Sequence, residues 1–393
     1  MIRIIFVDDE LNVLQAMRRS LHAMRSEWNM EFVSGGPEAL AALKASAADV
    51  IVSDMRMPGM DGWQLLTEVR KLHPQTVRLI LSGHAEATSI MRAVGVAHQY
   101  LAKPCESATI KSAIVQTLKL RHLISNDQLV ALVGQVSTLP SAPKAFQEIL
   151  TCLQEPSASI TDVARIIGRD VAMTANVMKM VNSAFFGARQ PILTTDRAVA
   201  YLGLDTLGAL VLAHSVFKSG RPTAIAGFSL ERLYSHSLQT AMAARAIALC
   251  EKFPPAQAEK AFLAGVLHDV GKIVFATRTI PTIGAAMGIA EYGALMQAHH
   301  AEVGAYLLGL WGFPNPIVDA VAFHHIPSFA AAEGLSLAGL IHVANYLVNR
   351  KDQTSGVIET VLEPGFLESR GLLQRLPEWQ AALENLDWAE AVQ

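Results

Sequence analysis

Short apolar segments alternate with longer amphipathic segments over the first 120 residues of the chain. Five of the apolar segments have the length and the aliphatic, β-branched composition of strands. They are RIIFV (3–7), EFVSG (31–35), DVIVSD (49–54), VRLILSG (77–83) and HQYLA (98–102). Because these strands are apolar at nearly every position, both faces of their sheet must be covered. The alternation therefore predicts an α/β domain built on a doubly wound, five-stranded parallel sheet.

The segments between and after the strands predict the remaining organisation. Helical spacing is found in ELNVLQAMRRSLHAMR (10–25), PEALAALKAS (37–46), GWQLLTEVRKL (62–72), EATSIMRAV (86–94) and KSAIVQTLKLRHLI (111–124). Strand-like segments stop at about residue 105, and apolar-periodic helices separated by Gly and Pro follow. We predict an α/β domain over 1–120, a linker helix over 121–128, an all-α domain over 129–350 and a helical tail over 351–393.

Composition and termini exclude several classes of protein. Hydrophobic residues make up 51% and charged residues 17%, with a net charge of −3, so bulk charge gives no attraction to nucleic acid or to an anionic membrane. The three cysteines are scattered along the chain. The first ten residues, MIRIIFVDDE, contain acidic residues too early for a signal peptide. The apolar run 198–217 contains Asp205 and His214, which favours a buried helix pair over a membrane span. We expect a cytoplasmic protein without direct DNA binding and without a membrane segment.

Polar side chains stand at the carboxyl ends of four predicted strands. Asp8 and Asp9 follow the first strand, and Asp54 ends the third. Ser82 ends the fourth strand and Lys103 follows the fifth. Parallel strands bring their carboxyl ends to one edge of the sheet, where ligands bind. Carboxylates that gather there are explained by a bound Mg²⁺, and Asp54 beside it is placed to accept a phosphoryl group.

Helix capping is the alternative explanation for the acidic residues. Asp9 or Glu10 could cap the first helix, and Asp61 stands directly before GWQLL. For Asp61 we adopt the capping interpretation.

Residues 1–120 resemble the receiver domain of two-component response regulators. The resemblance is carried by FVDDE, VSDMRMPGMDGWQLL, LILSG and YLAKP. It implies a flavodoxin-like fold, Mg²⁺ as cofactor and a cognate histidine kinase as partner. It also implies the following roles: Asp54 as phosphoacceptor, Asp8, Asp9, Asp54 and the Met55 carbonyl as Mg²⁺ ligands, Ser82 and Tyr100 as switch residues, and Lys103 as the phosphate-binding lysine.

The segment FLAGVLHDVGKIVF (262–275) places a histidine beside an aspartate, and further histidines accompany it. Imidazole and carboxylate together suit Zn, Mn or Fe, and two such ions could activate a hydroxide for phosphodiester cleavage. The candidate ligands are His236, His268, Asp269, His300, His324 and His325, with His299 facing solvent. Isolated helical histidines (His22, His122, His214 and His342) are interpreted as structural.

Residues 129–330 resemble the HDOD branch of the HD superfamily of metal-dependent phosphohydrolases, which is related to the HD-GYP phosphodiesterases. The matching segments are STLPSAPKAFQEILTCL, IIGRDVAMTANVMKMVNSAFFG, AVAYLG and HAEVGAYLLGLWGFP. The resemblance implies that the six candidate ligands hold metal and that Lys272 contacts phosphate. The chain departs from the pattern in three places: Asn345 stands where an Asp would close the site, Arg232 stands where an acid would precede His236, and IPSFAAAEG replaces the GYP loop.

Together these features predict a response regulator whose HDOD domain signals through protein–protein interaction with a downstream protein. The alternative is a phosphorylation-gated, metal-dependent phosphodiesterase acting on cyclic di-GMP or another cyclic dinucleotide. A third hypothesis is a domain that binds such a nucleotide without cutting it. Whether the protein forms a homodimer stays open.

Overall fold

In the computed structural model of the chain, the described residues are 1–82, 96–103, 105–121, 124, 126–136, 148–149, 152, 159–182, 190–204, 207, 228–277, 289–330, 334–351, 361–363, 365–384, 386 and 388. Some predicted segments lie outside them. These are the helix EATSIMRAV, most of the run 198–217, and large parts of the segments STLPSAPKAFQEILTCL and NSAFFG.

The N-terminal part is built on a parallel sheet with the strand order β2-β1-β3-β4-β5. The strands are β1 (Ile2–Val7), β2 (Trp28–Val33), β3 (Val50–Asp54), β4 (Val77–Ser82) and β5 (Gln99–Ala102). Each neighbouring pair is parallel, with Phe6 opposite both Phe32 and Val52. The helices α1 (Leu11–Ser20), α2 (Gly36–Ala45) and α3 (Gly62–Leu72) connect the first four strands. The predicted α/β class with a parallel sheet is confirmed.

Alternate residues of each strand enter different hydrophobic cores. Ile4 and Phe6 belong to one core, whereas Ile5 and Val7 belong to the other. This alternation follows from the two-residue period of a strand and shows that both faces of the sheet are covered. The core that contains Phe6 also continues into the helical half of the chain.

Strand β2 begins three residues before the predicted segment EFVSG. Trp28 is 2% exposed and pairs with Ile2. Because β2 is an edge strand, the polar Asn29 that follows can face water without disturbing the sheet.

Helix α1 ends earlier than the predicted segment 10–25. After Ser20 the chain tightens into a 3₁₀ turn over His22–Met24. In a 3₁₀ turn the side chains three residues apart lie on the same side. Leu21 and Met24 therefore both enter the core, with 2% and 5% of their surface exposed.

The capping interpretation of Asp61 is confirmed. Its Oδ1 accepts a hydrogen bond from the Gln64 amide (2.7 Å), and the Gln64 side chain accepts one from the Asp61 amide (3.0 Å). This reciprocal pair is a capping box at the start of α3. Glu10 precedes α1 but makes no side-chain cap. Capping therefore explains Asp61 and does not explain Glu10.

The described residues after β5 are helical and form no strand, so the all-α prediction is confirmed. The helices are α4 (Ser107–Arg121), α5 (Asp127–Gly134), α6 (Ile160–Gly168), α7 (Val171–Val181), α8 (Thr195–Leu202), α9 (Leu230–Cys250), α10 (Pro255–Leu267), α11 (Val270–Thr277), α12 (Ile289–Leu310), α13 (Asn315–Phe323), α14 (Leu337–Lys351), α15 (Phe366–Ser369) and α16 (Leu376–Glu384). Helix α9 packs against α10 and α14, and α12 packs against α11 and α13.

The C-terminal tail packs back on α9. Helix α16 lies against it, and Trp379 is fully buried between them. The indole Nε1 of Trp379 donates a hydrogen bond to Oε1 of Glu251 (2.7 Å), and Nε of Arg375 donates to the same oxygen (2.9 Å). Apolar burial and a charge-assisted hydrogen bond thus both hold the tail.

A buried arginine joins the sheet to the helical half. Arg78 on β4 is 0% exposed. Its guanidinium donates to the carbonyls of Val96 (2.8 Å), Thr76 (3.1 Å) and Gly134 (2.6 Å), the last at the end of α5. It also lies 2.8 Å from Nε2 of His98. One side chain therefore satisfies backbone carbonyls on both sides of the contact.

The carboxyl end of α12 makes a second contact with the N-terminal part. The amide of Gln99 on β5 donates to the Gly309 carbonyl (2.9 Å), and the amide of Gln116 on α4 donates to the Phe313 carbonyl (3.1 Å). Both acceptors are backbone groups at the point where α12 ends. The side chains of Gln99 and Gln116 thus tie the N-terminal part to the backbone at and just after the end of α12.

No helix in the described part of the chain is long and apolar enough to cross a bilayer. Of the run 198–217, the described residues are 198–204, which include the end of α8, and Leu207. The predicted buried helix pair can therefore be followed only at its start.

Candidate functional site

The parallel sheet brings three of the predicted polar residues to one edge. Asp8 directly follows β1, Asp54 is the last residue of β3, and Lys103 directly follows β5. Asp8 and Asp54 are 1% and 7% exposed, so both carboxylates are withdrawn from bulk water. We call this group of three residues the carboxylate edge.

Lys103 holds the two carboxylates together. Its Nζ lies 2.7 Å from Oδ2 of Asp8 and also forms an ion pair with Oδ1 of Asp54. The second oxygen of each carboxylate accepts a backbone hydrogen bond, from Glu10 (3.0 Å) and from Arg56 (2.7 Å). Burial by itself would lower the pKa of Lys103, but the hydrogen bonds to Asp54 and Asp8 outweigh it and raise the pKa above its ordinary value. The ammonium thus stays charged between two acids.

A cavity of about 470 Å³ opens beside the carboxylate edge. Its lining includes Met55, Trp63 and Asp9, and of these Asp9 is exposed. The Met55 carbonyl accepts a hydrogen bond from the Gly62 amide (3.0 Å). A Cβ added to Gly62 would lie 2.2 Å from the Asp54 carbonyl oxygen, so this close approach of α3 to the end of β3 requires glycine. Two buried carboxylates, a third at the rim and a carbonyl are all hard oxygen donors, so this donor set fits Mg²⁺.

Ser82 and Tyr100 are placed by their backbone alone. Ser82 pairs with Ala102 at the end of β4, and Tyr100 pairs with Ile80. The side chains of Ser82 and Tyr100 lie outside the described part of the molecule. Their switch roles stay predictions.

The six candidate ligands in the helical half converge on one point. They form two groups, and within each group the ligand atoms lie within 4.8 Å of one another. The residues come from α9, from the ends of α10 and α13, and from α12. We call this set the histidine cluster; the first group is His300, His324 and His325, and the second is His236, His268 and Asp269.

A glycine allows helices α11 and α12, next to the histidine cluster, to approach each other closely. Gly271 follows the His268–Asp269 pair by two residues, on α11. A Cβ at this position would lie 1.9 Å from the backbone carbonyl oxygen of His300 on α12. A larger residue would therefore push α11 away from α12 and separate Asp269 from His300.

Hydrogen bonds to the backbone orient three of the imidazole rings. Nδ1 of His268 lies 2.7 Å from the Gly265 carbonyl, and Nδ1 of His324 lies 2.7 Å from the Val321 carbonyl. Nδ1 of His300 lies 2.9 Å from the Gln297 carbonyl. Since a carbonyl only accepts, each Nδ1 carries the proton and each Nε2 keeps a lone pair. This arrangement prepares Nε2 to bind a metal ion.

The carboxylate of Asp269 lies at the centre of the cluster and is 1% exposed. Its Oδ1 is 3.1 Å from Nε2 of His300 and 3.9 Å from Nε2 of His324. Its Oδ2 is 2.7 Å from Nζ of Lys272 and 3.3 Å from Nε2 of His268. Lys272, predicted to contact phosphate, therefore binds Asp269 in this structure.

Burial lowers the pKa of three histidines of the cluster. It lowers the pKa of His236 to about 3, and the charge of the neighbouring His268 adds to the effect. Burial also lowers the pKa of His300 and His324. Burial would raise the pKa of Asp269, but the charges of His268 and Lys272 reverse this and hold it well below its ordinary value. The cluster thus combines buried imidazoles with one ionised carboxylate, a donor set that suits a transition-metal ion.

Two buried nitrogen atoms support this fit. Nε2 of His268 and Nε2 of His324 have no hydrogen-bond partner among the described residues. A buried polar atom without a partner costs free energy, and such atoms are rare in folded proteins. A metal ion bound by the first group would give Nε2 of His324 a partner, so this donor set fits a divalent ion.

The three departures from the HD pattern occupy different places. Asn345 is 3% exposed and its side chain hydrogen-bonds to His236, so a neutral amide stands at the edge of the cluster. Arg232 is exposed on α9. In place of the GYP loop, residues Pro327–Phe329 form a 3₁₀ turn in which Phe329 is 70% exposed.

His342 is not a member of the histidine cluster, but it holds His324 in place. The interpretation of His342 as an isolated structural histidine did not include this contact with the cluster. It is 0% exposed; its Nδ1 donates to the His324 carbonyl (2.8 Å), and its Nε2 accepts from the Glu363 amide (2.9 Å). The signal in the sequence is its spacing, because His342 precedes Asn345 by three residues and shares its helix face.

Two family models match the chain. The model described as "Response regulator receiver domain" matches residues 4–115, and the model described as "HDOD domain" matches residues 139–327. The first range contains the carboxylate edge, and the second contains all six residues of the histidine cluster.

Individual relatives are more distant. An uncharacterised protein of Treponema pallidum (strain Nichols) is 25% identical over 56% of this chain and 44% of its own length. The hydrogenase transcriptional regulatory protein HoxA of Cupriavidus necator is 30% identical over 42% of this chain and 37% of its own. The crystal structure of the MmoQ response regulator from Methylococcus capsulatus is 21% identical, covers 65% of this chain and 98% of its own, and gives a TM-score of 0.47.

The chain spans less than half of the length of these two curated relatives. The family matches, in contrast, cover the two parts of the chain in which the fold and the two clusters have been described. The chain therefore carries a response regulator receiver domain at residues 4–115, followed by an HDOD domain at residues 139–327.

Proposed function

We propose that this protein is a response regulator in which a histidine kinase phosphorylates Asp54 and the receiver thereby switches an HDOD output domain that binds another protein. The observation that carries the proposal is the ion-pair bridge of Lys103 between Asp8 and Asp54 at the carboxyl edge of the sheet. A lysine that holds two buried carboxylates is placed to hold phosphoryl oxygens on one of them.

The chemistry follows from the groups at this edge. A carboxylate oxygen of Asp54 forms a bond to phosphorus, and the bond from phosphorus to the imidazole nitrogen of the kinase phosphohistidine breaks. Asp8, Asp9, Asp54 and the Met55 carbonyl would hold Mg²⁺, which neutralises charge on the transferred oxygens when it is bound. Lys103 supplies a second positive charge, and Ser82 would donate a hydrogen bond to the phosphoryl group.

Helix α12 offers a physical connection from the receiver to the output domain. Gln99 on β5 binds the Gly309 carbonyl at the end of α12, and His300 lies nine residues earlier on the same helix. At 1.5 Å per residue this is about 14 Å along one rigid element. Moving such an equilibrium from mostly off to mostly on requires about 5.5 kcal/mol of differential stabilisation. Several charge-assisted hydrogen bonds, at about 1.5–3 kcal/mol each, supply that amount.

Acetyl phosphate tests the proposed phosphorylation site directly. With Mg²⁺, the full chain should incorporate one phosphoryl group that hydroxylamine removes, because the product is an acyl phosphate. Asp54→Asn should incorporate none, whereas the capping residue variant Asp61→Asn should incorporate as much as the wild type. Equal labelling of Asp54→Asn, measured by intact-mass spectrometry, would contradict the proposal.

Hydrogen exchange on the same samples tests the switch. Phosphorylation should change the amide exchange of peptides from α12 in the wild type and leave them unchanged in Asp54→Asn. Labelling of Asp54 without any change in the HDOD domain would mean that the receiver acts on something other than this output.

The histidine cluster supports a second candidate, a metal-dependent phosphodiesterase acting on a cyclic dinucleotide. Two groups of ligand atoms, each within 4.8 Å, resemble the donor sets of a two-ion hydrolase. The neutral Asn345 and the missing GYP loop favour the binding role over this one. Consumption of cyclic di-GMP by the Mn²⁺-loaded protein, stimulated by acetyl phosphate in the wild type but not in Asp54→Asn and lost in His268→Ala, would establish the phosphorylation-gated hydrolase instead.

A further inference from the structure

The two oxygens of Asp269 face different partners. Oδ1 faces the first group of the histidine cluster through His300 and His324. Oδ2 lies within reach of His236 and His268 in the second group, but the ammonium of Lys272 is closer to it than either ring, at 2.7 Å. Oδ1 of Asp269 therefore belongs to the first group and Oδ2 to the second. Oδ2 is already paired with the ammonium of Lys272.

From this asymmetry we infer that the HDOD domain binds a single transition-metal ion of the Zn²⁺ type through His300, His324, His325 and Oδ1 of Asp269, and that Lys272 takes the place of a second ion at Oδ2. The inference rests on the proposed function in one respect, because it describes the ion as part of a partner-binding domain.

The second group is poorly equipped to bind an ion. Its only carboxylate oxygen is held by Lys272, and a divalent cation placed there would face a like charge at close range. His236 is also engaged by the side chain of Asn345, which is neutral where an anionic ligand would be expected. Two independent features thus act against metal binding in this group.

The first group has the donors that a four-coordinate ion needs. The rings of His300 and His324 are oriented by hydrogen bonds from Nδ1 to backbone carbonyls, which leaves their Nε2 atoms as ligands. Nε2 of His325 lies 3.0 Å from Nε2 of His300, so both can turn toward one ion. Three imidazoles and one carboxylate oxygen make a donor set that favours Zn²⁺ over Mg²⁺.

The same group also has a path for the ion to enter. His325 belongs to the exposed residues, whereas His300 and His324 are 2% and 0% exposed. His342 and Val321 hold His324 from the protein side. An ion would therefore enter past the exposed ring of His325 and reach the buried rings of His300 and His324.

One ion changes what the domain can do. Two-ion hydrolysis needs a pair of ions about 3.5–4 Å apart to stabilise the attacking and the leaving oxygen. With Lys272 in place of one ion, that clamp is incomplete, and the remaining ion joins α12 to the segment after α13.

The number of bound ions tests the inference. The full chain, stripped with a chelator and dialysed against Zn²⁺ in the presence of excess Mg²⁺, which fills the receiver site, should retain one equivalent of zinc by inductively coupled plasma mass spectrometry. Co²⁺ in its place should give the intense visible absorption of a four-coordinate site. Zero or two equivalents in the wild type would overturn the inference.

Two single variants locate the ion. His325→Gln should weaken Zn²⁺ binding by about a hundredfold, because a ligand is lost. His236→Gln should leave the affinity within about twofold, since this residue lies in the other group. If His236→Gln weakens binding as much as His325→Gln does, the ion does not sit in the first group.

A double variant tests the role of Lys272. Lys272→Met combined with Asn345→Asp should bind two equivalents, because it frees Oδ2 and adds an anionic ligand. Lys44→Met, at an exposed lysine on α2, is the matched control and should keep one equivalent. A folded double variant, judged by circular dichroism, that still binds one equivalent contradicts the assignment of Lys272.

The failure of this inference is distinct from the failure of the proposed function. Labelling of Asp54 by acetyl phosphate is measured on the same preparations and does not depend on the histidine cluster. A protein that binds no Zn²⁺ but is phosphorylated on Asp54 refutes the single-ion site alone.

Discussion

Replacing Arg78 by alanine lowers the free energy of unfolding by about 3–5 kcal/mol, as measured by urea denaturation followed by circular dichroism. The substitution leaves the carbonyls of Val96, Thr76 and Gly134 without their donor at a fully buried position. Each buried carbonyl that loses its partner costs about 1–3 kcal/mol, and the vacated volume adds to that.

Two further variants make this prediction specific. Arg78→Lys retains the charge but cannot donate to all three carbonyls, so its free energy of unfolding should fall between those of Arg78→Ala and the wild type. Arg19→Ala, at an exposed arginine on α1, should stay within about 0.5 kcal/mol of the wild type. A urea midpoint for Arg78→Ala equal to that of Arg19→Ala would show that the carbonyls find other donors.

Acidification from pH 6.5 to pH 5 should lower the free energy of unfolding of the metal-free protein. Burial lowers the pKa of His236 to about 3 and also lowers the pKa of His300 and His324 in the folded protein. In the unfolded chain these groups titrate near 6.5. Their stabilising contribution is therefore complete above pH 6.5 and is lost as the pH falls below it, because the unfolded state then binds more protons.

The magnitude follows from linkage. At pH 5, each histidine that stays neutral in the folded state contributes a loss of about 2 kcal/mol. His236, with a folded pKa of about 3 and a side chain that is 22% exposed, contributes somewhat less than this amount, and His300 and His324 act in the same direction. His325 is left out because its side chain is exposed.

Thermal unfolding between pH 7 and pH 5 in the presence of a chelator measures this effect. The melting temperature should fall steeply below pH 6.5, and His300→Gln should reduce the slope by about one proton. His22→Gln, at an exposed histidine, should leave the slope unchanged. A melting temperature that is flat over this range would mean that the buried rings are protonated without cost.

The carboxylate edge could be predicted from the sequence because the geometry of a parallel sheet determines it. Asp8, Asp54 and Lys103 each follow a strand, and such a sheet places strand ends side by side whatever the helices do. The capping box of Asp61 was equally accessible, since it depends on residues three positions apart.

The histidine cluster could not be obtained from spacing. Its members lie on four separate helices, and the angles at which those helices cross depend on packing. The histidines that accompany the His268–Asp269 pair suggested the set of residues, and the resemblance to the HD superfamily implied the same set. The contact between Lys272 and Asp269 was accessible, because the two residues are three positions apart on the chain.

The role of Arg78 was hidden because its partners are remote. Gly134 is 56 positions away, and the group that Arg78 binds there is a backbone carbonyl. Since every residue has such a carbonyl, the sequence does not identify it as a partner. The structure buries Arg78 where two parts of the molecule meet.

The position of Trp379 bears on how the output domain can be isolated for study. A shortened protein that stops at the end of α14 would leave an empty slot along α9, the helix that carries His236, and would remove both donors from Glu251. Such a fragment would aggregate through the apolar surface of α9 that Trp379 normally covers. A loss of zinc from it could then not be attributed to the proposed zinc ligands. Expression boundaries that run through α16 avoid this confusion.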